Sequence, residues 1–363
     1  MLAGVQTAVM KSGVHVGSTR PTCAITVGGV TMADVISVSI DRSKGGASQA
    51  TFVVDNKAGA KAPDPGGDYY HILWPGKTVT ISMGYGGSQV LLFTGLVDTC
   101  TMQNPPARIT CTCRDMSKLA LDAMIQTDVD GVRVYGITYL DQTLEYIFRD
   151  LALKAGYAAG NIIADITGIT LKEITFSREQ YADAFQKLCE LCLFEWYCDE
   201  AGKLVFRKAT EAASTSYTFA EGEDLFEISY EISDADIYTR IYVEGRDEDG
   251  KPITATALLD ESQYALSLQK TLFINANDIV TTTANCQTLA NYEAAQVATK
   301  ARNVTIKVIG NPWIQIGDAI QVTETSSTIS EIYRVLEITH SMDADGSPIF
   351  SSNIKCYAYA AGS

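Results

Sequence analysis

The stretch from Trp74 to Asp98, WPGKTVTISMGYGGSQVLLFTGLVD, constrains the fold more than any other part of the chain. Val79, Ile81 and Met83 alternate with Thr78, Thr80 and Ser82, and a second apolar run extends from Val90 to Val97. Between them lies Gly84-Tyr85-Gly86-Gly87. Period-two alternation on both sides of a glycine cluster predicts a β-hairpin. Its opening, Pro75-Gly76 followed by Lys77, has a second copy far along the chain, where Gly317-Asp318 leads into Ala319, Ile320, Gln321 and Val322. A tryptophan precedes each opening, Trp74 and Trp313. Two separated β-modules with one kind of opening are the skeleton of the expected fold.

The rest of the chain fills in around these two modules. Residues 1–20 read as an N-terminal arm, and residues 21–120 as a first small β-barrel module. In that module Ala24–Gly28, Ile36/Val38/Ile40, Ala50/Phe52/Val54 and Ile109/Cys111/Cys113 each show strand alternation, with the Pro/Gly-rich KAGAKAPDPGGD as a loop. Residues 121–208 read as an inserted α/β domain. Leu144, Ile147, Phe148 and Leu151 follow helical spacing up to a stop at Gly156, and Ser177-Arg178-Glu179-Gln180 has the form of a capping box before Tyr181, Phe185 and Leu188. Residues 209–363 read as a second β-barrel module with an inserted helix near 287–301. It opens with Phe226, Ile228, Tyr230 and Ile232 on one strand face, continues through Ile237–Val243, and closes through turns at Asp249-Gly250 and Asp345-Gly346. The expected class is mainly β with an α+β insertion: two similar small β-barrel modules flanking a small α/β domain.

Charge and cysteine usage narrow the partners. Lys plus Arg total 28 against 43 Asp plus Glu, a formal charge of −15 over 363 residues, which gives no attraction to nucleic acid or to an anionic membrane surface. Nine scattered cysteines, and a start (MLAGVQTAVMKSG) without a basic or an apolar leader segment, point to synthesis in a reducing cytosol with the thiols acting as small apolar residues. No apolar run approaches the roughly 20 residues of a membrane span, so no membrane anchor is expected.

The residues that could carry chemistry are more economically read as structure. Cys189-x-x-Cys192 with Cys198 is half a zinc pattern, but it lies on the apolar side of a predicted helix and lacks a second ligand pair. Cys111 and Cys113 share one strand face and are expected in a core. The runs Asp128–Gly131, Asp247–Gly250 and Asp343–Gly346 lack the further oxygens and closing Glu of a calcium loop and read as turns. Gly84-x-Gly86-Gly87 precedes a strand, so no helix N-terminus is available there for a phosphate. Only His15, His71 and His340 could serve as an imidazole base, and no Gly-x-Ser-x-Gly or His-Glu-x-x-His motif is present. No catalytic, cofactor-binding or metal-binding residue is therefore assigned, no cofactor is implied, and the chain is not expected to be an enzyme. Tyr69, Tyr70, Tyr85 and Tyr197 fall at predicted turns or strand ends, where they could face a partner.

Four pieces in order carry a resemblance: WPGKTVTISMGYGG with LLFTGLVD, FEWYCDEAGKLVFR, FEISYEISDADIYTRIYVEGRDEDG, and VTIKVIGNPWIQIGDAIQV with EIYRVLEITHSMDADG. Over about residues 24–358 the chain resembles the tail-hub (baseplate hub) proteins of contractile-tailed phages, phage-tail-like bacteriocins and contractile injection systems, of the late control D or PBSX-like hub type. The resemblance implies a structural homotrimer whose two barrels per subunit make six barrel positions, matching a sixfold tail tube protein above and a threefold central spike protein below. It also implies contacts with tape-measure and baseplate wedge proteins, assembly in the bacterial cytoplasm, and residence in the baseplate of a virion tail or tail-like particle. An acidic lumen would repel passing DNA rather than bind it, so no specific nucleic-acid binding is expected. The alternatives are a baseplate carbohydrate-binding module, which the tyrosines would serve, and a tail-associated peptidoglycan hydrolase using two of the 43 carboxylates.

Overall fold

The alternating pattern of the sequence places its apolar side chains as expected: Val79, Ile81 and Met83 are fully buried, and the intervening threonines and serine face outward. The computed structural model describes residues 8–9, 15–16, 20–43, 46–56, 67–103, 107–129, 132–208, 215–232, 238–247, 249–259, 270–276, 282–299, 302–324, 329–344 and 348–358. Most of the expected N-terminal arm, the loop KAGAKAPDPG and the Asp345-Gly346 turn lie outside them. Strand makes up 58% and helix 16%, so the class is mainly β with a few helices.

The first strands are β1 (Pro21–Val27), β2 (Val35–Ser43), β3 (Gln49–Asp55), β4 (Thr78–Tyr85), β5 (Ser88–Gln103) and β6 (Arg108–Asp115). Gly86 and Gly87, both at positive φ, make the two-residue turn between β4 and β5, closed by the pair Tyr85 and Ser88. An α/β segment follows. β7 (Gly136–Thr143) pairs antiparallel with β8 (Thr170–Ser177), α1 (Leu144–Lys154) and α2 (Tyr181–Cys192) pack over a separate core, and β9 (Phe194–Cys198) pairs with β10 (Leu204–Lys208). Phe148 is the centre of that core, with its ring 4.4 Å from Phe206 and 4.5 Å from Phe185. Helix α2 begins at Tyr181 with Gln180 as its cap, three residues later than the Ser177 box predicts. The backbone N–H of Gln180 donates to the Asp183 carboxylate, while Glu179 is drawn back to the N–H of Ser177.

The remaining strands are β11 (Thr215–Ala220), β12 (Leu225–Ile232), β13 (Arg240–Arg246), β14 (Pro252–Leu258), β15 (Thr271–Asn275), β16 (Arg302–Ile309), β17 (Ala319–Glu324), β18 (Ile329–Asp343) and β19 (Ile349–Ala358). Between β12 and β16 the chain adds more than the expected helix. β13, β14 and β15 form their own three-stranded sheet, covered by α3 (Thr283–Thr299) over a core that includes Ile241, Val243, Ala290 and Val297.

The barrels are not closed. A closed barrel needs the strands at its two ends to pair; here β2, at one end of the first group, pairs with β18 of the second rather than with β1 at the other end. The result is one sheet in the order β12-β16-β19-β18-β2-β3-β6-β5-β4-β1, with β17 attached to β18 and β11. The cores are joined accordingly: Ile309, Met342 and Phe350, from the second set of strands, belong to the core of the first.

Candidate assembly interface

The duplication read from two strand openings extends to topology. The strands β2, β3, β4, β5 and β6 lie in the order β2-β3-β6-β5-β4, and β12, β16, β17, β18 and β19 lie in the order β12-β16-β19-β18-β17. Every neighbouring pair in both sets is antiparallel. With strands numbered by chain position, both orders are the same permutation. Two register shifts recur as well, although the one at Ile81/Ser82 between β4 and β5 has no counterpart between β17 and β18. The first strand carries a bulge between Val35 and Ser37 in one set and between Leu225 and Glu227 in the other. The long fourth strand carries one between Val97 and Thr99, and again between Val335 and Glu337. Bulges fix register and twist, so their coincidence marks one module written twice.

The openings themselves are superimposable in their hydrogen bonds. Gly76 donates to the Val97 carbonyl at 2.8 Å and Val97 donates to the Lys77 carbonyl at 2.9 Å; Gly317 donates to Val335 at 2.9 Å and Val335 donates to Asp318 at 3.0 Å. Both glycines have positive φ, 82° and 86°, which a side chain would oppose. The tryptophans do not correspond. Trp74 is exposed and two residues before its glycine, whereas Trp313 is partly buried against the second core and four residues before its own.

Within the chain the two modules meet edge to edge. The proximal part of β18 pairs with β17, and its distal part, Glu337–Asp343, pairs on that same side with β2. Ile338, His340 and Ile40 are fully buried at this junction, Thr339 Oγ1 donates to Asp41 Oδ1 at 2.7 Å, and the hydroxyls of Ser39 and Ser341 lie 3.4 Å apart. Arg42 ties the junction to the α/β segment through an ion pair with Glu200 and donates to Gln315 Oε1 at 3.2 Å. A cleft of about 550 Å³ lies there, lined by Arg42, Trp196, Glu200, Arg207 and Gln315 among others.

Cys189 is buried on the inner face of α2, and the Cys192 thiol donates to the Leu188 carbonyl at 3.2 Å. Burial raises both thiols, Cys192 to about 12, so neither is a ready thiolate. Cys198 is buried beside the Tyr157 hydroxyl. Cys111 and Cys113 are buried as expected, and Cys111 faces Cys100 across the strands with sulfurs 2.6 Å apart; the neighbouring thiol and burial push Cys111 up. Asp247 accepts from the N–H groups of Asp249 and Lys251, which is a turn. Asp130, Gly131, Asp345 and Gly346 lie outside the described residues. Among the tyrosines, Tyr69 and Tyr85 are buried, and Tyr85 donates to the Gly310 carbonyl at 3.0 Å. Tyr70 is exposed beside His71 and Trp74.

His340 has a consequence for stability. Its ring is fully buried, with Nδ1 2.9 Å from Ser352 Oγ, Ile40 opposite on β2 and Phe350 alongside; burial first and the Arg42 charge second push it down to about 3. The folded state holds it neutral, while the unfolded chain takes up a proton below about pH 6.5, so its contribution is complete above that value and is lost as pH falls toward 3, by about 1.4 kcal/mol per unit. Met102, five residues beyond Val97 as His340 is five beyond Val335 in the matching glycine contacts, holds the equivalent position in the first module, which makes His340→Met the natural replacement. Between pH 7 and pH 5 the unmodified protein is expected to lose about 2 kcal/mol more than the variant in urea titrations. Equal losses would show that His340 is not the source.

Among the described residues no helix is long and apolar enough to cross a membrane. The YQBQ-like family model matches residues 89–347. The chain belongs to the YQBQ-like family. No curated protein matches it by sequence. Solved structures share the fold of this YQBQ-like chain over nearly its whole length. The tail protein from Neisseria meningitidis MC58 is 12% identical with a TM-score of 0.72, covering 93% of this chain and 96% of that one. The 43 kDa tail protein of prophage MuSo2 from Shewanella oneidensis is 18% identical with a TM-score of 0.68, covering 92% and 97%. An E. coli protein described as a component of the type VI secretion system, structurally similar to bacteriophage tail proteins, is 9% identical with a TM-score of 0.54, covering 93% and 77%. At these identities the likeness is one of fold.

Sequence reasoning missed Arg42, His340 and Phe350 as junction residues, because their partners lie in distant segments. The available signal was the unusual length of the apolar alternation through Ile329–Asp343, longer than one neighbouring strand requires.

Proposed function

We propose that this chain is the structural hub of a phage tail or tail-like particle, in which three copies form a ring of six similar modules joining a sixfold tail tube to a threefold central spike. The observation that carries the reading is the five-strand module written twice and joined edge to edge. A subunit with two equivalent modules presents threefold symmetry through its whole and near-sixfold symmetry through its modules, which is what a connector between such partners needs. The fold shared with the Neisseria and Shewanella tail proteins supports a tail role. A chain of a Francisella PdpA–VgrG complex shares this fold as well.

In this reading residues 21–120 and 209–363 are the two tube-like modules, 121–208 is the α/β domain between them, and the role is assembly in the baseplate rather than catalysis. Light scattering on the purified protein tests it: a particle of three times 39.2 kDa is expected, able to hold a tube protein on one face and a spike protein on the other. A stable monomer or dimer that binds neither would overturn it.

A further inference from the structure

The junction between the two modules uses one edge of each and, among the described residues, leaves the counterpart edges without a strand. β2 pairs with β3 on one side and with β18 on the other. Its equivalent, β12, pairs with β16 on one side and is the end strand of the sheet among the described residues. The distal part of β18 pairs with β2; its equivalent in β5, Thr99–Gln103, pairs with β6 and has no strand on the β4 side among the described residues.

Exposure follows the same division. Val97 corresponds to Val335 through the shared glycine contact, so Met102 corresponds to His340. Val38 and Ile228 correspond through their partners Phe52 and Ile306, so Tyr230 corresponds to Ile40. His340 and Ile40 are 0% exposed; Met102 is 43% and Tyr230 41% exposed. The positions that the internal junction covers in one module are thus part-exposed in the other, on the end strand β12 and along the distal stretch of β5, with the Tyr230 hydroxyl donating to Glu324 Oε2 at 3.2 Å. Edges of this kind pair with another chain unless they are blocked.

We infer that Thr99–Gln103 of one copy pairs antiparallel with Ser229–Ile232 of a second copy, repeating between subunits the register that β18 and β2 make within one. The inference rests on the ring reading above and specifies its interface. The internal pairs Thr339 with Asp41, His340 with Ile40 and Ser341 with Ser39 become Thr101 with Glu231, Met102 with Tyr230 and Gln103 with Ser229. The side chains suit this register: the Thr339–Asp41 hydrogen bond has its counterpart in Thr101 and Glu231, again a hydroxyl facing a carboxylate. Met102 and Tyr230 cover one another on the inner face, as His340 and Ile40 do. The contact joins two different patches, so it is heterologous and propagates head to tail until the rotation closes. Closure after three copies joins six modules edge to edge in one sheet, with no open β12 edge.

The test is register-specific cross-linking. A variant carrying Gln103→Cys and Ser229→Cys, both exposed polar positions, is treated with dibromobimane and run on a denaturing gel, with the native mass of the same sample measured by light scattering. Directly opposed residues on paired strands lie about 5 Å apart at Cβ, within reach of the reagent. A Gln103→Cys/Glu223→Cys variant places the second thiol in the turn before β12, out of reach. Covalent trimers from the first variant and none from the second are expected. A trimer mass with no cross-link, or with equal cross-linking in both variants, would overturn this pairing while leaving the ring reading in place. A monomer mass without cross-links would overturn both.

Discussion

Substituting aspartate for Ile320 is expected to leave the second module unfolded and the chain insoluble. Ile320 is fully buried in β17, in one core with Val322, Ile338 and Ile354; the buried Arg334 lies opposite Ala319, on the other face of the strand, and donates to the Gly317 carbonyl. An unpaired buried charge costs several kcal/mol, against a total stability of about 5–15 kcal/mol for a domain. Val79 holds the equivalent position in β4 and is equally buried, so Val79→Asp is expected to do the same to the first module. The soluble fraction on expression, with a circular-dichroism melt of whatever remains soluble, checks both. Soluble variants with unchanged melting would contradict the placement of these strands.

Truncation of Phe350 to alanine is the second large effect. Phe350 lies in β19 but packs into the first module's core, with its ring 5.7 Å from Tyr85 and 5.9 Å from His340. Gly310 is there to admit it: a Cβ on Gly310 would sit 2.2 Å from Phe350 Cγ. Removing a buried phenyl costs about 3–5 kcal/mol, and here the cavity opens where the two modules meet. The unfolding free energy from urea titration is expected to fall by that amount, as a lower midpoint at unchanged slope, if the modules still unfold together, and the transition is expected to split if they do not. A loss below about 1 kcal/mol would mean that the modules are not joined through this ring.

The two predictions differ in how far the sequence announces them. The burial of Ile320 is legible in the chain, because β17 alternates and its opening repeats the one at Gly76. The same local signals located β2, β3, β6, α1 and the Gly86-Gly87 turn. Phe350 is not legible: nothing near Ile349–Ala358 says that one ring crosses into another core. The barrels were expected to close because short antiparallel strands with turns usually do so; the pairing of β18 with β2, nearly 300 residues apart, leaves no local trace. The alternation Phe226, Ile228, Tyr230, Ile232 predicts one apolar strand face, yet Phe226 and Tyr230 on it are exposed. That mismatch between an apolar strand pattern and an open surface is the clearest mark of the proposed interface, and it needed the structure beside the sequence to be seen.

In the proposed ring one module, written twice in each chain, fills six near-equivalent positions around an axis. Electron-microscope class averages of the purified protein test it most directly. End-on views are expected to show a central hole and six similar lobes, alternating in fine detail because one module is followed by the α/β segment and the other carries the sheet of β13 to β15 with α3. Rings of three lobes, or particles with no hole, would contradict it.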